Sequence, residues 1–149
     1  MNQKEAYLNF CQTFVEDRLT RIHTNIANIQ ESLTSETKSS AGDKHETGRA
    51  MLQLEREKLG QQLAEAEKMQ LTLTKVFITK SFETVQLGSW VKTSKANYFL
   101  AISAGEYTDV TTSVYCISIQ TPIAKLLLGK SLDDTVTFNG SNIKILEIL

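Results

Sequence analysis

The chain has 149 residues, 41% of them apolar and 22% charged, an ordinary globular composition with room for one domain or two small ones. A formal net charge of -1 and a pI near 6.1 argue against coating DNA or RNA through surplus Lys and Arg, so autonomous DNA binding is not expected. No apolar run approaches the roughly 20 residues that a membrane-spanning helix needs, and the opening MNQKEAYLNF lacks the apolar stretch of a secretory signal, so a soluble, cytoplasmic protein without a membrane partner is expected.

Composition changes sharply near residue 75. Before it there is no proline, and Gly occurs only at Gly42, Gly48 and Gly60; after it, β-branched and aromatic runs are broken by Gly, Asn and Ser. In the first part Val15, Leu19, Ile22, Ile26, Ile29 and Leu33 alternate spacings of four and three, which sets them on one helical seam, thickened at its base by Phe10 and Phe14. Leu52, Leu59, Ala66 and Leu73 repeat every seven with Leu63 between them, which predicts a second helix with a compatible stripe. The intervening SETKSSAGDKHETG is polar, and Gly42 suits a backbone reversal. The expectation is an antiparallel coiled-coil hairpin over residues 1–78 with its tip at about 36–47. Arms of about 30 to 35 residues would make a rod of roughly 45 to 50 Å.

The second part predicts short strands at Val85–Leu87, Trp90–Thr93, Tyr98–Ile102, Tyr115–Ile119, Val136–Phe138 and Ile143–Ile148, with a turn of open type at Asn139-Gly140. One helix, TPIAKLLLG, interrupts them: Thr121 suits the cap, Pro122 the first helical position, and Gly129 the left-handed end. An α+β domain over residues 79–149 follows.

Few residues invite chemistry. Asp43 and Glu46 form a D-x-x-E pair at the start of the second helix. They read either as a capping box, in which Asp43 accepts a first-turn amide and Glu46 reaches back to the cap, or as hard oxygen ligands offered to Mg²⁺ in another molecule's active site. Two carboxylates are too few for a cage of their own but enough when a partner supplies the rest. Cys11 and Cys116 lie far apart without CxxC spacing, so neither a disulfide framework nor a zinc site is suggested. His45 reads as a solvated loop histidine, or as a pH sensor or a contact to phosphate, and His23 as a surface residue. Arg49, Arg56 and Lys58 read as a solvated face or as phosphate contacts. Trp90 reads as core or interface. No Walker loop, dinucleotide fingerprint, metalloprotease helix or nucleophile elbow is present, which gives no support to an autonomous enzyme.

The stretch ISIQTPIAKLLLGKSLDDTVTF, residues 117–138, resembles the signature region of the GreA/GreB transcript-cleavage factors. Ile117, Ser118, Thr121, Pro122, Ile123, Ala124, Leu127, Leu128, Gly129, Lys130, Asp134 and Val136 fit the family's pattern in order. Upstream, VQLGSWV is similar to the family's V-x-x-G-S-x-V strand, and Gly42-Asp43 with Glu46 fits its G-D-x-x-E.

The resemblance implies an FKBP-like antiparallel sheet domain that docks on RNA polymerase, with Ser118, Thr121, Pro122, Ile123, Gly129 and Lys130 as docking residues. It implies a coiled coil that enters the polymerase secondary channel, where Asp43 ligates the second Mg²⁺ with Glu46 assisting. The factor would then stimulate cleavage of backtracked RNA, which it meets only indirectly, by the polymerase's own nuclease activity. It would carry no cofactor of its own beyond that Mg²⁺ of the polymerase active site.

The tip departs from the family's usual G-D-L-K-E-N-A-E-Y, since Lys44 and His45 follow Asp43 and the later aromatic is replaced by Ala50. An alternative within the same fold is therefore a secondary-channel inhibitor or regulator without cleavage activity. A prolyl isomerase is a rival from another class, although fold alone does not establish activity and no dense aromatic cluster marks a pocket. A purely structural coiled-coil adaptor is a third.

Overall fold

A computed structural model describes residues 3–38 and 43–149, without the side chains of 37, 38 and 43–45. Two long helices open the chain, α1 (Gln3–Lys38) and α2 (Asp43–Leu73). Packing divides the chain into two compact units, Val15–Met69 and a discontinuous one made of Met1–Phe14 with Gln70–Leu149.

In Val15–Met69 the helices run antiparallel. Near one end Arg18 Nη1 donates to Met69 Sδ at 3.9 Å, and near the other the Glu36 carboxylate lies 3.6 Å from where a β-carbon on Gly48 would sit. The predicted seams face inward. Val15, Ile22, Leu59 and Ala66 are buried, and Leu19, Ile26, Ile29, Leu33, Leu52 and Leu63 are half-buried between exposed polar neighbours. Two helices alone cannot enclose a stripe completely, which accounts for the half-burial. Arg56 and Met69 are also half-buried, extending the α2 stripe through a long amphipathic stem and a thioether that simple apolar periodicity passes over.

The other unit is built on a six-stranded sheet of order β3-β4-β2-β1-β6-β5. Its strands are β1 (Trp90–Thr93), β2 (Asn97–Ala101), β3 (Gly105–Thr108), β4 (Ser113–Ser118), β5 (Thr135–Phe138) and β6 (Ser141–Ile148), with α3 (Pro122–Leu127) between β4 and β5. The expected α+β class is observed, but the sheet is mixed rather than wholly antiparallel. β2 and β4 run parallel, Tyr98 beside Tyr115 and Leu100 beside Ile117, because the chain between them first forms β3 on the far side of β4. β3 was not expected; its GEYT is short and begins with Gly105. Its hairpin to β4 is closed by Asp109, whose carboxyl accepts from the amides of Thr111 at 2.9 Å and Thr112 at 2.7 Å. Those amide bonds, Thr111's foremost, hold the Asp109 carboxyl below its ordinary value.

Val85–Leu87 is not a ladder strand. Val85 pairs with the chain beyond α3, donating to the Lys130 carbonyl at 2.9 Å and accepting from Gly129 at 2.8 Å, and Gly88 at φ +91° then turns the backbone into β1. The β5–β6 turn has Asn139 at φ 52° and Gly140 at φ 77°, the two positive values that a type I′ hairpin demands.

Strand alternation separates two faces. On one, Val91, Leu100, Ile143, Ile145 and Val136 pack with Val85 and with Ile123, Ala124 and Leu127 of α3. On the other, Trp90, Phe99 and Cys116 are buried, and the ring of Tyr7 from α1 lies 5.1 Å from Trp90 and 5.7 Å from Phe99. The first turns of α1 thus belong to the core of the sheet unit.

Candidate functional site

Two places carry the expected functional residues. The first is the N-terminus of α2. Asp43 is its first residue, but the Asp43 side chain, like those of Lys44 and His45, and all of Gly42 lie outside the described residues, as does most of the expected tip. The choice between cap and metal ligand at Asp43 therefore falls outside them too. Glu46 is described, and its side chain is exposed in the first turn of α2. The helix N-terminus adds a positive end beside these acids. Glu36 approaches Gly48 on the facing helix and brings a further carboxylate to this end of the pair. Among the described residues no three His, Cys, Asp or Glu side chains gather in a way that could hold a metal ion. A carboxylate presented here would need donors from another molecule. His23, Arg49 and Lys58 are exposed.

The second place is α3 with the turns at its two ends, where all six expected docking residues lie. Ser118 and Thr121 shape it. The Ser118 carbonyl accepts from the Thr121 amide at 3.1 Å and the Thr121 hydroxyl at 2.8 Å, the Ser118 hydroxyl accepts from Gln120 at 3.1 Å, and Thr121 Oγ1 caps α3 by accepting from Ala124 at 3.4 Å. Pro122 occupies the first turn and is exposed, whereas Ile123 turns into the core at 8% exposure. Gly129 leaves the helix at φ +79°, and the Lys130 side chain is exposed. Asp134 accepts from the Ser131 amide at 2.7 Å, fixing the approach to β5. Most of the shared pattern is thus explained by how the segment folds. Pro122, Lys125, Leu126, Lys130 and Leu132 are among the side chains it presents to solvent.

Sequence reasoning missed two features. Arg18, Arg21, Ile22, Asn25 and Gln62 line an open groove of about 430 Å³ along the helical pair, visible only once α1 and α2 are set side by side. Cys11 and Cys116, distant in sequence, are both buried. The influence of Cys116 holds the Cys11 thiol below its ordinary value, and that of Cys11 together with burial pushes Cys116 up.

The chain thus combines a helical pair with a small mixed-sheet domain. Residues 79–149 match the family described as transcription elongation factor, GreA/GreB, C-terminal. Among solved structures the chain is similar to GreA factor homolog 1 (Gfh1) of Thermus thermophilus, with 20% identity over 91% of this chain and 92% of that one. The TM-score of that likeness is 0.37, which fixes no residue correspondence between the two. No curated protein matches the chain.

Proposed function

We propose that the protein is a transcription elongation factor that binds RNA polymerase, places its helical pair in the secondary channel and stimulates cleavage of the 3′ end of backtracked RNA. The observation that carries this reading is the GreA/GreB C-terminal domain over residues 79–149. Docking falls to the segment from Ser118 to Lys130, with Pro122 and Lys130 making contact and Ser118, Thr121, Ile123 and Gly129 holding the shape. Asp43 and Glu46 are the acting residues. Glu46 suits the role because it is an exposed, hard oxygen donor at a helix end, and Asp43 precedes it by one turn. Together they would help hold the polymerase's second Mg²⁺, which supplies charge stabilisation at the attacking and leaving oxygens. The chain's own contribution is to position carboxylates, so it acts as an accessory factor and the phosphodiester chemistry stays with the polymerase.

Stalled elongation complexes test this. Wild-type protein should accelerate RNA cleavage, and Asp43→Ala or Glu46→Ala should each lose at least about tenfold of that acceleration. Equal cleavage with and without the wild-type factor would overturn the reading. The departures at Lys44, His45 and Ala50 favour a second reading, a channel-occupying inhibitor. That protein would slow synthesis, and both alanine variants would keep the effect.

A further inference from the structure

Neither the fold nor the proposed activity uses the groove along the helical pair. Arg18, Arg21, Ile22 and Asn25 are spaced on α1 so that they share one face, and Gln62 meets them from α2. All five belong to Val15–Met69, so the groove lies within one compact unit. Its volume of about 430 Å³ falls inside the range of roughly 300–1,000 Å³ usual for small-molecule sites. Arg18 Nη1 donates to Met69 Sδ at 3.9 Å, which holds that guanidinium across the pair. Arg21, Asn25 and Gln62 enter no ion pair or side-chain hydrogen bond among the described residues, and Ile22 adds a buried apolar surface. No carboxylate lines the groove among those residues; Asp17 and Glu65, the acids nearest along each helix, lie outside the lining.

We propose that this groove binds a nucleoside diphosphate. Two guanidinium groups one helical turn apart suit two linked phosphoryl groups, since each planar fork can take a pair of phosphate oxygens. The Asn25 and Gln62 carboxamides each offer donors and an acceptor, the complement that ribose hydroxyls and base edges require. Ile22 gives the ligand an apolar surface to cover. A nucleic-acid strand fits less well. Tracking a backbone takes a row of cations, whereas this groove has two and the chain carries a net charge of -1. Because the ligand touches both helices, it holds α1 against α2 and stabilises the pair by binding only its folded form. The binding does not depend on the polymerase reading, so either can fail alone.

The test is isothermal titration calorimetry of the full chain with ADP and with GDP. EDTA is present, so that Mg²⁺ cannot bridge the phosphates to the acids of α2. One site with Kd on the order of 100 µM is expected for at least one of the two nucleotides. Inorganic pyrophosphate should bind about tenfold more weakly than that nucleotide, and adenosine should not saturate. Arg21→Gln should weaken the nucleotide by about tenfold or more. Arg21 is exposed, so this variant keeps the fold. Lys75→Gln removes the same charge from an exposed position outside the groove and should leave the Kd unchanged. No saturation by either nucleotide up to about 10 mM would overturn the proposal. Equal weakening by Arg21→Gln and Lys75→Gln would do the same, since diffuse charge and not a site would then be responsible. Pyrophosphate binding as tightly as the nucleotide would remove the nucleoside, and a short RNA oligonucleotide binding more tightly than both would make the groove a strand-binding face instead.

Discussion

Tyr7 OH and Trp90 Nε1 are both buried without a hydrogen-bond partner among the described residues, so the aromatic cluster at the base of α1 holds two polar atoms in an apolar setting. Burial pushes the Tyr7 hydroxyl up to about 12, with the Asp109 charge adding to the effect. Removing that oxygen should cost little: Tyr7→Phe is expected to fall within about 1 kcal/mol of wild type in urea unfolding, whereas Tyr7→Ala should lose about 3–5 kcal/mol of packing. Lys4 gives a pH-dependent counterpart. Its ammonium donates to the Lys80 carbonyl at 2.9 Å and lies 4.8 Å over the Phe82 ring, yet burial lowers it from 10.5 to about 8. The unfolded chain then binds the proton more tightly than the folded one, so Lys4 makes stability rise between pH 8 and 10.5 and contributes no slope below that window. Stability profiles of wild type and Lys4→Met should differ in slope there and run parallel at lower pH. At this scale the sequence showed that Trp90 belongs indoors, but not which ring meets it, since Tyr7 reaches it from a distant segment.

Helix α2 and the end of α3 show glycine acting in opposite ways. Gly60 lies inside a regular helix, where an added β-carbon meets only the flexible end of Arg56 at 3.3 Å, so Gly60→Ala should stabilise by about 0.5–1 kcal/mol. Gly129 sits at φ +79°, and Gly129→Ala should destabilise by about 1 kcal/mol or more, despite open space around it. Thermal denaturation of the two variants should shift in opposite directions. The long helices were legible because a seam repeated over many turns is a strong signal, and α3 because cap, proline and terminal glycine agree. The strands were harder. Val85–Leu87 has strand composition, yet its partner is the irregular chain at Gly129–Lys130, a pairing that no local pattern encodes. β3 was overlooked for the converse reason, since GEYT gains its place from β4 rather than from propensity. The parallel β2–β4 pair follows from that same omission. At the candidate site, the GreA/GreB-like segment was legible as a motif, but only the hydrogen bonds divide it into residues that build the turn and residues left outside it.

At the scale of the whole chain the two compact units should report separately. The single tryptophan, Trp90, belongs to the sheet unit, whereas most of the helix lies in Val15–Met69. Unfolding followed by tryptophan fluorescence and by far-ultraviolet circular dichroism should therefore give transitions that do not coincide, and superimposable curves would show that the units melt as one. The helical unit has only a narrow half-buried seam and is expected to be the less stable of the two. The sheet unit has a different peculiarity, because it draws on two distant stretches of the chain, with Tyr7 and Cys11 completing a core whose other members begin at Leu73. During synthesis those first residues leave the ribosome long before β1 to β4 exist, and until then they have nothing to cover. The continuous segment between them can pair its helices first, shortening the loop that the early and late residues must close. A nascent chain arrested before β4 should thus hold a formed hairpin while its first aromatic residues still await the strands that will bury them.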